Sequence, residues 1–271
     1  MTVLDQFDLS DRTALVTGGA SGLGYAFASA VAEGGADVAL VDIDEAAARE
    51  AATELADATG QEVVPVAADV TDEDETDRMV AETREALGGL DVAFANAGIA
   101  ELGAPLAWFS TDQWDEVLDV NLTGVFNTLR SVAEPMVEQG HGSIVTTASI
   151  YGEVGDAKAT LEDLGASYAY TASKGGVIQL TRTAAAELAP EVRVNAIAPA
   201  FVRTDLASGA LREDPALDEV AAFQEDIEDR TLLGRFADPE EVKGMALFLA
   251  SDAASYCTGG VYHVDGGWLA L

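Results

Sequence analysis

A phenol and an ammonium are spaced one helical turn apart in the segment Tyr170-Thr171-Ala172-Ser173-Lys174. Side chains at positions i and i+4 share one face of a helix, so these two groups would lie side by side. A neighbouring positive charge favours the phenolate and lowers the pKa of a tyrosine from its usual value of about 10. A phenol tuned in this way can donate and accept a proton near neutral pH. The alternative is a packed tyrosine beside a solvated lysine, and these five residues alone do not decide between the two.

The elements that would hold this pair alternate regularly between strand and helix. Short apolar runs predict strands at 13–17, 37–41, 63–67, 90–95, 142–147, 192–198 and 261–264. Longer periodic segments predict helices at 23–33, 44–58, 72–87, 111–139, 170–188 and 239–250. This order predicts an α/β protein, a doubly wound Rossmann fold whose mostly parallel, seven-stranded sheet has helices on both faces. Because no stretch has the composition of a linker, residues 1–271 are predicted to form a single domain.

Two segments depart from the alternation. Residues 153–167 and 205–230 are long, polar and acidic. Long irregular segments in a compact domain are often functional loops. We therefore expect an inserted loop at 153–167 and a lid over the substrate at 205–230.

The charge of the chain is extreme, with 14 Lys and Arg against 48 Asp and Glu and a formal net charge of -34. Such a surface would repel nucleic acid and anionic membranes, so neither is expected as a partner. It could be a docking surface for a basic partner or an adaptation to molar salt, where the Debye length is only ~3 Å. The acids are spread over many segments, which favours the halophilic interpretation.

Several other function classes have no support in the sequence. Cys257 is the only cysteine, so no disulfide can form within the chain. His141 and His263 are the only histidines and have no partners at ligand spacing, so no metal site is predicted. No segment has the length and apolarity of a membrane span, and residues 1–11 lack a secretory signal. A soluble, cytoplasmic protein is expected.

A glycine-rich turn, Thr17 to Gly24, lies between the first predicted strand and its helix. Glycines allow a tight turn and close approach to a pyrophosphate, and the helix N-terminus supplies N–H donors. Asp42 ends the second predicted strand, where a carboxylate can bind ribose hydroxyls and repel a 2′-phosphate. These features predict NAD rather than NADP. The alternatives are a plain turn and an aspartate that caps the following helix.

Taken together, these motifs resemble those of the short-chain dehydrogenase/reductase family, and the match covers nearly all of the chain. The glycine turn and the Tyr170–Lys174 pair match its cofactor loop and catalytic pair, and Asp69-Val70 and Asn96-Ala97-Gly98 resemble its turns after the third and fourth strands. The segment from Asn195 to Thr204 resembles the part that binds the nicotinamide carboxamide. The resemblance implies cofactor contacts at Gly18, Ser21, Gly22, Leu23, Gly24, Asp42, Ile43, Asp69, Val70, Asn96, Ala97, Gly98, Tyr170, Lys174, Pro199, Ala200, Val202 and Thr204.

The same resemblance implies a catalytic set of Asn121, Ser149, Tyr170 and Lys174. Tyr170 would be the general acid/base, Lys174 would lower its pKa and bind the nicotinamide ribose, Ser149 would hold the substrate oxygen, and Asn121 would order a water. The implied activity is NAD(H)-dependent interconversion of a secondary alcohol and a ketone, with a sugar, polyol or hydroxy acid as the substrate. A 3-oxoacyl-thioester reductase and a non-catalytic NAD-binding regulator are the alternatives. Family members usually form homodimers or homotetramers, through helices that correspond here to 111–139 and 170–188.

Two departures from the family pattern bear on the pocket. Ala200 stands where the family usually has glycine, so its methyl group could crowd the nicotinamide unless φ is negative and the methyl points away. Ser149 and Tyr170 are also further apart in sequence than usual, because of the insertion at 153–167. The aromatic residues Trp108, Tyr151, Phe201 and Trp268 could line the pocket or belong to the core or an interface. We also expect the apolar tail from Trp268 to Leu271 to pack at a second subunit interface.

Overall fold

The computed structural model describes residues 2–101, 105–155, 167–204 and 218–270. Over these residues the chain forms one seven-stranded parallel sheet in the order β3-β2-β1-β4-β5-β6-β7. The strands are β1 Thr13–Thr17, β2 Asp37–Asp42, β3 Val63–Ala67, β4 Val92–Ala95, β5 Gly142–Thr147, β6 Val192–Pro199 and β7 Val261–Val264. The predicted fold class is confirmed.

Helices cover both faces of the sheet, as its apolar strands require. They are α1 Gly22–Glu33, α2 Glu45–Thr59, α3 Glu73–Leu87, α4 Thr111–Leu118, α5 Gly124–Gln139, α6 Tyr168–Leu188, α7 Asp218–Arg230 and α8 Glu240–Ala250. One apolar cluster joins the sheet to α1, α2 and α8, and a second joins it to α3, α5 and α6. β1 is buried along its whole length, because helices cover both faces of the sheet. Burial on both faces explains why its sequence is a nearly continuous apolar run.

The strand order reverses direction between β1 and β4. In open parallel sheets, such a switch point opens a crevice at the carboxyl ends of the strands, where ligands bind. The glycine turn follows β1 and Asn96 follows β4, so both flank this crevice. The topology therefore places the predicted site at the carboxyl edge of the sheet.

The structure corrects three details of the predicted elements. Helix α6 begins at Tyr168, two residues earlier than expected. The predicted helix at 111–139 is interrupted by a wider π-helical turn, Asp119–Thr123, between α4 and α5. The second half of the predicted lid is the helix α7, because Ile227 packs into an apolar cluster.

Some expectations fall on residues outside the described ranges. These are 156–166 of the inserted loop and 205–217 of the lid. Within the described part of the chain, no helix is both long and apolar enough to span a membrane. The same part contains no group of three or more metal-ligating side chains.

Candidate active site

The glycine turn after β1 is packed so closely that side chains are excluded. A Cβ atom on Gly24 would lie 1.9 Å from the carbonyl oxygen of Gly18, and one on Gly18 would lie 2.9 Å from Cα of Ala97. Gly18 and Gly22 also have positive φ angles of 62° and 53°. At the N-cap of α1, Ser21 makes no side-chain cap, so the first-turn amides can bind an anion. These features fit the pyrophosphate of a dinucleotide.

Asp42 is tied to the same turn. Its carboxylate accepts hydrogen bonds from the main-chain N–H of Ala20 and of Asp44, both at 3.2 Å. Asp44, not Asp42, caps α2, because its side chain accepts from the first-turn amides of that helix. The capping alternative for Asp42 is therefore wrong, and contact of its carboxylate with a cofactor ribose stays a prediction.

Next to Asp42, the side chain of Ile43 is 70% exposed. It borders a cavity of about 580 Å³ whose lining also includes Arg49. Arg49 is paired with Glu45 at 2.5 Å. The cation closest in sequence to the end of β2 is thus already engaged by a carboxylate.

Asn96 joins the ends of three strands. Its side-chain amide donates to the carbonyl of Thr17 at 3.1 Å, and its oxygen accepts from the hydroxyl of Thr147 at 2.9 Å. The hydroxyl of Thr17 in turn accepts from the main-chain N–H of Asn96 and of Ala97. The turn at Asn96, Ala97 and Gly98 therefore fixes the glycine loop relative to β5.

The π-helical turn carries Asn121 into the site. Its fully buried amide accepts from the N–H of Ile99 and donates to the carbonyl of Ile99, both at 2.8 Å. It also donates to the hydroxyl of Ser173 at 3.3 Å, and Ser173 donates to the carbonyl of Tyr170 at 2.7 Å. The side-chain amide of Asn121 thus links the segment after β4 to the first turns of α6.

Lys174 is 3% exposed, and its ammonium donates to the carbonyl of Thr147 at 2.7 Å. A methyl group placed on Gly98 would lie 3.6 Å from this ammonium and 3.2 Å from the amide oxygen of Asn121. Burial lowers the pKa of Lys174 from 10.5 to about 8. The lysine, the asparagine and the turn at Gly98 therefore meet at one buried point.

The Ser149 side chain lies close enough to the phenol of Tyr170 to lower its pKa, so the insertion at 153–167 does not separate the two residues. The nitrogen of Lys174 lies 5.6 Å from the centre of the Tyr170 ring. Burial raises the pKa of Tyr170 above 10, the Ser149 hydrogen bond opposes this effect, and the charge of Glu101 adds to it. The expectation that Lys174 makes the phenol acidic is wrong here, because removal from water dominates.

The segment after β6 folds back over the glycine turn. The side chain of Thr204 lies next to Gly22, where an added Cβ would be 3.5 Å from it. Val202 forms an isolated bridge with Ala237, and the N–H of Ala200 donates to the carbonyl of Val264 at 3.1 Å. Among the described non-glycine residues only Asp11 has a positive φ, and Ala200 packs against an apolar cluster. The φ angle of Ala200 is therefore not positive, which meets the first part of the condition, and the direction of its methyl group relative to a nicotinamide stays a prediction.

That cluster contains three of the four aromatic residues singled out from the sequence. Phe201 lies 6.0 Å from Tyr151 and 5.0 Å from Trp268 between ring centres, and the guanidinium of Arg230 lies 4.3 Å above Trp268. Trp268 thus packs within its own chain, and the expected second subunit interface at the tail stays a prediction. Trp108 is 79% exposed and belongs to neither the core nor this cluster.

Asp69 and Val70 follow β3 at the same edge of the sheet. Asp69 accepts from the N–H and hydroxyl of Thr71, and the carbonyl of Val70 accepts from the amide of Asn127 at 3.0 Å. Leu23 lies in the first turn of α1, and Pro199 is the last residue of β6. All the sequence-predicted positions therefore belong to one edge.

One residue of the site was missed from the sequence. Glu101 follows the turn at Gly98, and its carboxylate accepts from the N–H of Ala169 and Tyr170 at 3.0 and 3.1 Å. No local motif marks this contact, which spans 68 and 69 positions of the sequence.

Comparison with known proteins shows the family of the chain. Residues 18–269 match the family model described as enoyl-(acyl carrier protein) reductase. The chain is 41% identical to cis-4-hydroxycyclohexanecarboxylate dehydrogenase of Sinomonas cyclohexanicum, over 97% of this chain and 98% of that relative. It is 37% identical to a short-chain type dehydrogenase/reductase of Mycobacterium marinum whose structure superposes with a TM-score of 0.88, covering 98% and 99% of the two chains.

A third similar protein was solved with bound NADP. It is described as an NAD(P)-dependent gluconate 5-dehydrogenase of Beutenbergia cavernae, and it is 42% identical with a TM-score of 0.86 over 98% of this chain and 100% of its own. The chain belongs to the short-chain dehydrogenase/reductase family of nicotinamide-dependent oxidoreductases.

Proposed function

We propose that the protein is an NAD(H)-dependent oxidoreductase that interconverts a secondary alcohol and a ketone by hydride transfer. The observation that carries this proposal is the interaction of the partly buried phenol of Tyr170 with the buried Ser149 side chain, with buried Lys174 beside them. Bound NAD would accept the hydride during oxidation and, in its reduced form, supply it during reduction. The four catalytic residues and the glycine turn lie at one edge of the sheet, as this chemistry requires.

Tyr170 exchanges the proton with the substrate oxygen in this proposal. Its raised pKa keeps the phenol protonated at neutral pH, which is the form that donates to a ketone oxygen. Ser149 holds that oxygen and stabilises the charge that develops on it. The Ser149 hydroxyl is buried and near the phenol, so both can contact one substrate atom.

Lys174 binds the nicotinamide ribose and passes protons toward solvent. A lysine whose pKa is about 8 can release and regain a proton in the working pH range. The amide of Asn121 is already engaged by Ile99 and Ser173, so its role in ordering a water would fall to its main chain. The side chain of Asn121 instead holds the segment after β4 in place.

The substrate class we propose is a sugar, a polyol or a hydroxy acid, and most specifically a hydroxy acid. Two similar proteins are named for the oxidation of hydroxylated acids, one for the cyclic acid cis-4-hydroxycyclohexanecarboxylate and one for the sugar acid gluconate. Two of the chain's 14 basic residues, Arg203 and Arg230, lie against aromatic rings of the cluster that follows Ser149 and Pro199. Each guanidinium is already paired with a carboxylate of the chain, Arg203 with Asp238 at 3.7 Å and Arg230 with Asp226 at 3.3 Å. The preference for a hydroxy acid therefore rests on the similar proteins.

NAD rather than NADP is the proposed cofactor. The carboxylate of Asp42 is held against the glycine turn, where it would repel a 2′-phosphate, and Arg49 is paired with Glu45. One similar protein binds NADP, so the preference has to be measured for this chain.

The runner-up function is reduction of a 3-oxoacyl thioester, which is the activity named for a protein of Thermotoga maritima that is 39% identical to this chain. An acidic carrier protein would meet strong repulsion from a chain with a formal charge of -34. A non-catalytic NAD-binding regulator is disfavoured by the intact Ser149, Tyr170 and Lys174. A homodimer or homotetramer, a halophilic source and a cytoplasmic location remain predictions.

A substrate screen tests the proposal. Cofactor reduction would be followed with NAD and with NADP, in molar KCl, for sugars, polyols, cyclic and linear hydroxy acids, and simple secondary alcohols. Cofactor oxidation would be followed with ketones and a 3-oxoacyl thioester. We expect NAD-dependent turnover that is highest for a hydroxy acid. Turnover confined to the thioester would establish the runner-up, and NAD binding without any turnover would establish the regulator.

A further inference from the structure

Glu101 bonds directly to the main chain at the catalytic tyrosine. One oxygen of its carboxylate accepts from the N–H of Ala169 at 3.0 Å and of Tyr170 at 3.1 Å. These N–H groups belong to the first turn of α6, where the helix supplies no carbonyl acceptor for them. The side chain of Ser167, at the N-cap, makes no capping hydrogen bond, and the carboxylate of Glu101 caps this turn from another part of the chain.

The contact closes a ring of hydrogen bonds around Tyr170. Asn121 clamps the main chain of Ile99, two residues before Glu101, and also bonds Ser173. Ser173 bonds the carbonyl of Tyr170, while Glu101 bonds its N–H. Both main-chain groups of Tyr170 are therefore held by one network that begins at the π-helical turn.

The other carboxylate oxygen of Glu101 is buried and has no hydrogen-bond partner among the described residues. Burying a charged oxygen without a partner is costly, so a plain helix cap would be better served by a serine or an exposed aspartate. The charged groups that face the phenol from the described elements are Glu101 after β4 and Lys174 on α6. The carboxylate thus holds the main chain of Tyr170 and raises the pKa of its phenol.

We propose that Glu101 is a positioning residue that holds Tyr170 at its working distance from Ser149. This inference rests on the proposed function, because it assigns Tyr170 the proton transfer. Misplacing a catalytic group by about 1 Å can cost about 10²-fold in rate. Loss of the Glu101 contact should therefore affect turnover more than cofactor affinity.

Three variants separate position from charge and from simple capping. Glu101→Gln keeps an acceptor oxygen for the two amides and removes the charge, and Glu101→Ala removes both. Asp72→Ala is the matched control, because the Asp72 carboxylate accepts from the N–H of Asp74 at 2.9 Å and of Glu75 at 3.1 Å at the start of α3. The measurements are kcat, the KM for NAD, and thermal unfolding of each purified full-length protein.

We expect Glu101→Ala to lower kcat about 10-fold to 100-fold with the KM for NAD within about twofold, and Glu101→Gln to recover most of the loss. Asp72→Ala should lose similar thermal stability with kcat unchanged. Wild-type kcat in Glu101→Ala would overturn the proposal, as would an equal loss of kcat in Asp72→Ala.

A second readout does not need turnover. Tyrosine labelled with ¹³C at the ring carbon that bears oxygen reports the titration of each phenol by NMR, and the Tyr170→Phe spectrum assigns Tyr170. Removing the negative charge in Glu101→Gln should move the Tyr170 titration to lower pH, because Glu101 raises that pKa. An unchanged titration would show that the Glu101 carboxylate does not lie beside the phenol, which would overturn the inference even if Glu101→Ala loses activity. If the wild type turned over no substrate, the proposed function would fail. The NMR titration of Tyr170 in the wild type and in Glu101→Gln would still test whether Glu101 acts on Tyr170.

Discussion

The two edges of the sheet treat buried polar groups in opposite ways. At the amino edge, Asp91 lies just before β4 and is bonded on both oxygens, to Arg12 and His141 on one and to the main chain and hydroxyl of Thr13 on the other. At the carboxyl edge, Lys174 is buried with a pKa of about 8, and Glu101 leaves one oxygen without a partner.

We infer from this difference that the amino edge supports stability and that the carboxyl edge supports chemistry. Burial would raise the pKa of Asp91, but its bonds from Thr13, His141 and Arg12 outweigh burial, so its pKa is lowered. At the other edge, burial dominates and shifts the pKa values of Tyr170 and Lys174 toward their neutral forms. Perturbed groups of this kind concentrate at functional sites.

The largest effect should come from Tyr170→Phe, at the carboxyl edge. Removing the phenol oxygen removes the proton donor, so turnover should fall about 10²-fold to 10⁴-fold with little change in thermal stability. Tyr168→Phe is the control, because Tyr168 packs edge-on against Phe109 at 5.6 Å and has no lysine four residues later. Equal kcat values for the two variants would show that the proton donor is elsewhere.

Loss of stability with turnover kept is expected for Asp91→Asn, at the amino edge. This change removes a charge that accepts from Arg12 and His141, so unfolding free energy should fall by about 2 kcal/mol, or about 5 °C in Tm, while kcat is kept. A carboxyl group with a lowered folded-state pKa stabilises the fold above its unfolded pKa of about 3.9, and this stabilisation is lost as pH falls through the folded value.

Thermal unfolding from pH 7 to pH 3 checks both parts of the Asp91 prediction. The gap in Tm between the wild type and Asp91→Asn should be full at pH 7 and should shrink below about pH 4. A gap that widened in acid would contradict the assigned direction.

A smaller effect is expected for Asp42→Asn, which alters cofactor choice without altering the edge itself. The single side-chain oxygen of asparagine can accept from only one of the N–H groups of Ala20 and Asp44, which bond to different oxygens of Asp42, and asparagine no longer repels a 2′-phosphate. The ratio of kcat/KM for NAD over NADP should fall about tenfold, or about 1.4 kcal/mol. Asp72→Asn should leave the ratio unchanged, and an equal change in both variants would make the effect one of general surface charge.

The smallest effect should be the response to salt, which acts on both edges alike. With a formal charge of -34, the folded chain repels itself, and molar KCl screens this repulsion. We expect Tm to rise by several degrees between 0.1 M and about 2 M KCl, with the gap between the wild type and Asp91→Asn reduced. A Tm that did not change with KCl would contradict the halophilic interpretation.

Much of this arrangement could be predicted from sequence because it is local. The short apolar runs and the glycines that follow them predicted the succession of strands and helices along the chain. The spacing of Tyr170 and Lys174 predicted the helix that carries the candidate catalytic pair. The π-helical turn at Asn121 could not be predicted in this way, because it depends on bonds to Ile99 and Ser173, 22 and 52 positions away. The same holds for Glu101, and for the pKa of Tyr170, where spacing reveals the neighbouring lysine but not the loss of solvent.

A crystal structure of the enzyme with NADH and a bound ketone would test the central claim most directly. The account predicts that the phenol oxygen of Tyr170 and the hydroxyl of Ser149 both lie about 2.6–3.2 Å from the carbonyl oxygen of the ketone. A ketone oxygen bonded to any other side chain, with Tyr170 turned away from it, would contradict the account.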